Sequence, residues 1–168
     1  LNGAQMKMID VYSIQEVGIP SLVLMERAAL CVTEAVLEKI KKTDKVLCVC
    51  GSGNNGADGM AVARQLTERG ISAEVYTTAE EGKGTEELNR QRAILQKLGI
   101  VFVNDIPAGE YNCIIDAVFG IGLSRTITGR YEQIIEKINA AKDTGSLIVA
   151  VDTPSGINAG DGQVMGCA

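Results

Sequence analysis

Residues 46–59 read Val46-Leu47-Cys48-Val49-Cys50-Gly51-Ser52-Gly53-Asn54-Asn55-Gly56-Ala57-Asp58-Gly59, and a helical pattern follows at once. An apolar run that breaks into a glycine-rich turn before a helix is typical of a phosphate-binding strand–loop–helix unit. The turn also carries three oxygen-bearing side chains, which a plain dinucleotide-binding loop does not need: Asn54, Asn55 and Asp58. This stretch therefore predicts both a local fold and a polar site.

Outward from this stretch, short apolar runs alternate with helical patterns. Strands are predicted at residues 46–50, 73–77, 101–103, 113–118 and 147–151, and a helix from Gly59 follows the first of them. This alternation indicates a parallel sheet covered on both faces. We predict an α/β fold, a three-layer αβα Rossmann-like sheet of strand order 3-2-1-4-5, preceded by two helices over residues 5–17 and 21–42.

Composition restricts the function classes. The chain has 168 residues, enough for one domain over residues 1–168, and its 46% hydrophobic content indicates a globular protein. A net charge of −5 and scattered cations disfavour binding to nucleic acid or to an anionic membrane. The 5 Cys, without any His, argue against a zinc site and suit a reducing, cytoplasmic environment.

Polar residues cluster after strands one, four and five. Strand four runs into Asp116 and a loop with Gly120 and Gly122, and strand five runs into Asp152 and Ser155. In a 3-2-1-4-5 sheet the carboxyl ends of these three strands are adjacent, at the switch point where open α/β sheets bind ligands. We therefore expect one site built from three loops.

Each candidate also has a structural interpretation. Asp58 is favoured as the N-cap of the following helix, and Asn54 and Asn55 could be turn residues. Alternatively, Asn55, Asp116 and a residue of the turn at 152–155 could provide oxygen ligands for Na⁺, K⁺ or Mg²⁺.

The loop after strand four and the aspartates that end strands four and five also have two interpretations each. Gly120, Gly122, Ser124 and Arg125 could bind an anion or form an ordinary turn with an exposed arginine. Asp116 and Asp152 could perform acid–base chemistry or cap turns.

Three segments resemble the signature loops of the YjeF N-terminal domain family, the NAD(P)HX epimerases. They are residues 53–59, residues 116–122 and residues 151–158. The family's opening helices are also similar to three N-terminal segments: Ala4-Gln5-Met6, Ile9-Asp10 and Leu24-Met25-Glu26-Arg27-Ala28. The resemblance spans almost the whole chain. It implies interconversion of the R and S forms of NADH and NADPH hydrated at C6 of the nicotinamide ring, as a step in metabolite repair.

The resemblance also implies site residues. Potassium, one ion per subunit, would be held by Asn55, Asp116 and Ser155. The substrate would contact Asn54, Asn55, Gly56, Ala57, Asp58, Gly120, Ile121, Gly122, Leu123, Ser124, Arg125, Thr126 and Asp152. Asp116 is our first choice for the catalytic acid–base group. The expected partners are a second copy of the chain, contacted through the N-terminal helices, and a separate or fused ADP- or ATP-dependent dehydratase.

Two departures from the family pattern matter. Ala57 stands where the family usually has glycine. The family also continues past the position of Ala168 with further strands and a lysine, so we expect a longer natural domain, and this fragment could bind substrate without turnover.

Three other functions fit parts of the sequence. A non-catalytic nucleotide- or RNA-related interaction module would share the fold. An ordinary NAD-dependent oxidoreductase is disfavoured because strand two ends in Tyr76-Thr77-Thr78, without the usual acidic residue. A sugar or nucleotide kinase is disfavoured because the first loop lacks the Lys-Ser/Thr ending of a P-loop.

Overall fold

Five parallel strands form one sheet in the order β3-β2-β1-β4-β5, which confirms the predicted topology. The structure, a computed structural model, describes residues 2–168. Its strands are β1 (Lys45–Cys50), β2 (Ser72–Thr77), β3 (Phe102–Val103), β4 (Cys113–Ala117) and β5 (Leu147–Ala150). The central strands β1 and β4 are almost fully buried, as expected for apolar runs in a sheet covered on both faces.

Five helices accompany the sheet: α1 (Gly3–Gln15), α2 (Ser21–Leu37), α3 (Asn54–Glu68), α4 (Glu86–Lys97) and α5 (Arg130–Asp143). The two predicted N-terminal helices are confirmed, although α2 ends at Leu37 rather than Lys42. Within residues 2–168, none of the helices has the length and apolarity needed to span a membrane.

The two faces of the sheet are covered unequally. One face packs against α2, α3 and α4 through a large core that includes Cys48, Cys50 and Ile115. The other packs against α5 through a smaller core that includes Leu47 and Ile114. Since side chains alternate along a strand, Asp116 shares the α5 face with Ile114.

Glycines let β1, β4 and α3 approach one another closely at the carboxyl edge. A Cβ atom at Gly59 would lie 2.4 Å from the Cβ of Ala117, and one at Gly51 would lie 2.1 Å from the carbonyl oxygen of Val118. Both distances are too short for any side chain. The first glycine-rich segment is therefore pressed directly against the segment that follows β4.

Candidate functional site

The centre of the candidate site is the carboxylate of Asp116, at the end of β4. Ser155 donates to it twice, from its backbone N–H to Oδ2 (2.8 Å) and from its hydroxyl to Oδ1 (2.6 Å). The Val118 N–H donates to Oδ1 at 3.2 Å. These bonds join the loop after β4 to the turn after β5, as the sequence predicted.

Burial raises the pKa of Asp116 above the ordinary carboxyl value, and the hydrogen bonds donated by Ser155 and Val118 partly oppose this effect. The side chain is only 5% exposed. The three hydrogen bonds from Ser155 and Val118 occupy three of the roughly four lone-pair positions of the carboxylate. One position remains for a proton, a cation or a substrate group.

A second set of contacts brings the first glycine-rich segment to the same place. The Phe119 N–H donates to the Ser155 hydroxyl at 2.9 Å. The neighbouring residue, Gly120, lies against the Asn55 side chain, since a Cβ built there would be 3.3 Å from the Asn55 Cγ. Asn55, Asp116 and Ser155 are therefore linked through residues 119 and 120.

Asp152 lies on the outer side of this cluster. Its Oδ2 accepts a hydrogen bond from the Ile121 N–H at 2.7 Å, and the same oxygen would be 2.5 Å from a Cβ at Gly120. Any side chain at position 120 would displace either Asp152 or Asn55. Glycine at this position thus permits the convergence of all three loops.

The structure corrects one local prediction about the first segment. Residues 54–58 form the first turns of α3, and the helix is capped by Gly53 in an extended conformation. The prediction of Asp58 as N-cap of a helix beginning at Gly59 is therefore wrong. A Cβ built at Gly56 would lie 2.1 Å from the Gly51 carbonyl oxygen, so only glycine fits this tight turn.

The early helix start changes what the first segment offers to a ligand. The first backbone hydrogen bond of α3 runs from the Ala57 N–H to the Gly53 carbonyl. The N–H groups of residues 54–56 have no earlier carbonyl in the helix to bond, and they carry the positive end of the helix dipole. This turn can accept an anionic or oxygen-bearing group.

Asp58 has a strongly perturbed acidity. Burial, followed by the charges of Asp152 and Asp10, raises the pKa of the Asp58 carboxyl to about 7. Asp10 belongs to α1 and was not among the predicted site residues, although Ile9-Asp10 is one of the segments that resemble the family's opening helices. The result is a carboxyl that exchanges protons near neutral pH at the rim of the site.

The loop after β4 divides into two parts. Leu123 is buried with Ile127 and Ile135, and this contact anchors the loop to α5. Ser124, Arg125 and Thr126 are exposed, and no hydrogen bond or ion pair of Arg125 is found in the part of the chain that the structure describes. These three residues are therefore available to a ligand but are not held in the Asp116 cluster.

Within the described residues, the Asn55 side chain has no hydrogen-bond partner for either of its polar atoms. Both amide atoms, Oδ1 and Nδ2, are buried and have no hydrogen-bond partner in residues 2–168. Unsatisfied buried polar atoms are rare and costly. The Asn55 and Ser155 oxygens and the Asp116 carboxylate form a set of hard oxygen donors, which suits an alkali or alkaline-earth cation. Across the described residues, no cluster of three or more Cys, Asp and Glu could hold a metal.

Comparison with known proteins gives consistent matches. A sequence profile of the family described as "YjeF-related protein N-terminus" matches residues 21–168. The NAD(P)H-hydrate epimerase of Limosilactobacillus fermentum is 42% identical over 170 residues, which cover all of this chain and 80% of the relative. That of Oenococcus oeni is 41% identical with the same coverage.

One solved structure shares the fold. The crystal structure of the yeast protein YNL200c superposes with a TM-score of 0.82 at 24% sequence identity, covering 94% of this chain and 71% of that chain.

The Asp58→Asn variant is expected to lose a pH-dependent contribution to stability. Because the folded-state pKa of about 7 exceeds the ordinary value of 3.8, the folded protein binds more protons than the unfolded chain between these values. Asp58 therefore makes wild-type stability fall as pH rises through this window.

Urea unfolding at about pH 5 and about pH 8 measures this pH-dependent difference in stability. The Asp58→Asn variant should lose less stability between the two pH values, whereas Glu34→Gln, at an exposed site on α2, should behave as wild type. An unchanged pH difference in Asp58→Asn would contradict the prediction.

Proposed function

This chain belongs to the YjeF-related protein N-terminus family, and from this premise we propose that it is an NAD(P)H-hydrate epimerase. The observation that carries the proposal is the convergence of three loops on the Asp116–Ser155 pair, with the Asn55 amide beside them. The relatives named NAD(P)H-hydrate epimerase align over the full chain and therefore over all three loops.

The proposed reaction needs only proton transfers and a water molecule. A carboxyl protonates the hydroxyl on C6 of the hydrated nicotinamide ring, and the lone pair of the ring nitrogen expels it as water. A planar cation results, and water adds to either face while it returns a proton to the carboxylate. Neither oxidant nor reductant is required, and the R and S forms interconvert.

Asp116 is proposed as the acid–base group and Asp152 as the residue that orients the substrate. The buried setting of Asp116 favours the protonated form of its carboxyl, which a general acid needs. Asp58 and Asp152 place further negative charge near the ring, which stabilises the cation. The open N–H groups of α3, together with Gly120, Ile121, Gly122, Leu123, Ser124, Arg125 and Thr126, would hold the phosphate side.

A potassium ion is proposed as the cofactor, held by Asn55, Asp116 and Ser155. The unsatisfied Asn55 amide oxygen supports this choice, because a cation would give it the partner that the described residues do not supply. When bound, the ion would organise the three loops rather than take part in bond making.

We further propose that the protein works in the cytoplasm, together with an ADP- or ATP-dependent dehydratase that consumes the S form.

We also propose that the chain self-associates through its N-terminal helices. The helix α1 has no buried residue, and its Met8 and Tyr12 side chains are 70% and 62% exposed. An apolar groove that includes Leu30 and Ile94 lies between α2 and α4. Exposed apolar surfaces of this kind mark protein contacts.

The activity is tested by chiral chromatography of R- and S-NADHX after incubation with the protein. Wild type should equilibrate the two forms, and Asp116→Asn should slow the reaction by about a hundredfold or more, the scale of a lost general acid–base group. Asp152→Asn should mainly raise KM. Asp161→Asn, at an exposed position, serves as the control, and a rate for Asp116→Asn within a few-fold of wild type would refute its role.

Potassium binding is tested by thermal unfolding in K⁺ and in Na⁺ buffers of equal ionic strength. The Tm of wild type should be higher in K⁺, by roughly 2–4 °C for each kcal/mol of binding free energy. Asn55→Ala should lose this difference, while Asn139→Ala, an exposed asparagine on α5, should keep it. Identical wild-type Tm values in the two salts would argue against a potassium site.

Self-association is tested by sedimentation velocity. Wild type should sediment as a dimer, and Tyr12→Glu should shift it to monomer because a charge would be buried in an apolar interface. The matched change Lys7→Glu, on the same helix, should affect the dimer less. A monomeric wild-type protein would contradict the proposal.

A further inference from the structure

A second cavity, of about 190 Å³, opens beside the carboxyl ends of β2 and β3. It lies apart from the Asp116 cluster. On the α5 side it is lined by four residues that share one face of that helix: Arg130, Gln133, Ile134 and Lys137. Six polar residues line it: Tyr76, Asn104, Asp105, Arg130, Gln133 and Lys137. None of these six residues was among the site residues predicted from the sequence.

The cavity carries positive charge on an otherwise acidic protein. Lys137 forms an ion pair with Asp105, whereas Arg130 has no carboxylate partner within residues 2–168 and only a 3.5 Å contact with the Tyr76 hydroxyl. Among the lining side chains two cations stand against one anion, while the whole chain carries −5; the Glu80 charge also acts on Arg130, but Glu80 is not part of the lining. A guanidinium that forms no ion pair and lies next to hydroxyl and amide groups is suited to a phosphate.

The cavity and the candidate site share one edge of the sheet. Val49 in β1 pairs with Tyr76 in β2 on one side and with Asp116 in β4 on the other. Tyr76 and Asp116 are therefore two strand spacings apart, roughly 10 Å. All three side chains lie on the α5 face, so one dinucleotide with its nicotinamide end near Asp116 can extend to the cavity.

We infer that this cavity binds the 2′-phosphate on the adenosine half of hydrated NADPH and so selects the phosphorylated substrate; the inference rests on the proposed function. In Rossmann-type sheets the adenosine ribose lies at the end of the second strand, and an arginine near this point accommodates a 2′-phosphate. Here the second strand ends at Thr77 without an acidic side chain, and Arg130 stands beside it.

Asp105 does not cancel the positive charge of the cavity, because its own charge is offset by Lys137. The hydrogen bond from Lys137, followed by that from the Ile106 N–H, lowers the pKa of the Asp105 carboxyl. Both bonds are accepted by Oδ1 of Asp105, so Lys137 offsets the charge of this carboxylate while Arg130 forms no ion pair in residues 2–168. A phosphate would compete with Asp105 for Lys137. It would bind Arg130 without displacing any carboxylate.

Calorimetric titration with adenosine 2′,5′-bisphosphate and with adenosine 5′-monophosphate tests the inference without requiring turnover. The bisphosphate should bind wild type at least about tenfold more tightly, the scale of one added charge-assisted contact. Arg130→Ala should abolish this preference. Arg90→Ala, which removes an exposed arginine from α4, should retain it.

The Asp105→Asn variant should change the affinity for the bisphosphate in the opposite direction to Arg130→Ala. Because it releases Lys137 and removes the only carboxylate in the cavity, the bisphosphate should bind several-fold more tightly than to wild type. Weaker binding of the monophosphate to Asp105→Asn would instead show that Asp105 holds a ribose, and the inference would fall.

The inference and the proposed function fail in different ways. Equal affinity of wild type for the two nucleotides overturns the phosphate cavity, even if R- and S-NADHX are interconverted. A preference for the bisphosphate that depends on Arg130, without any epimerisation, supports the cavity and overturns the activity. In an active enzyme, Arg130→Ala should raise KM for NADPHX about tenfold and leave KM for NADHX within about twofold.

Discussion

The candidate site depends on the buried carboxylate of Asp116. A carboxylate that is 5% exposed at the end of a central strand is destabilising unless hydrogen bonds compensate it. Three donors do so here, and two of them come from Ser155, which is distant in sequence. The same interaction therefore stabilises the fold and ties the loop after β4 to the turn after β5. The Phe119 N–H, bonded to the Ser155 hydroxyl, then holds Gly120 against Asn55.

Much of this arrangement could be predicted from the sequence, because it follows from strand topology. Parallel strands end at one edge, and the order 3-2-1-4-5 makes the ends of β1, β4 and β5 adjacent, so loops that carry Asn55, Asp116 and Ser155 had to meet. Local details were less predictable. The glycines at 51 and 56 permit a turn so tight that α3 begins at Asn54, and this moves Asp58 from the helix cap into the helix.

Other features could not be predicted because they depend on tertiary placement alone. The resemblance of Ile9-Asp10 to the family's opening helices gave Asp10 no role, yet α1 places it close enough to Asp58 to affect the acidity of that carboxyl. The cavity near Tyr76 has a similar origin. Within residues 2–168, a single helix, α5, packs on its face of the sheet, while three helices pack on the other. A single helix leaves space beside β2 and β3, and Arg130 and Lys137 lie at the border of that space.

Negative and positive side chains lie on different sides of the site. Asp10, Asp58 and Asp152 concentrate negative charge on one side of the site, where the proposed reaction develops a cation. Arg130 contacts the Tyr76 hydroxyl, and Tyr76 is about two strand spacings from Asp116; the 2′-phosphate of hydrated NADPH would lie here in the proposed orientation. A substrate bound in reverse would place its 2′-phosphate near Asp10, Asp58 and Asp152, and like charges in a partly buried site repel. The field of the protein can thus orient the substrate before any specific contact with the nicotinamide ring forms.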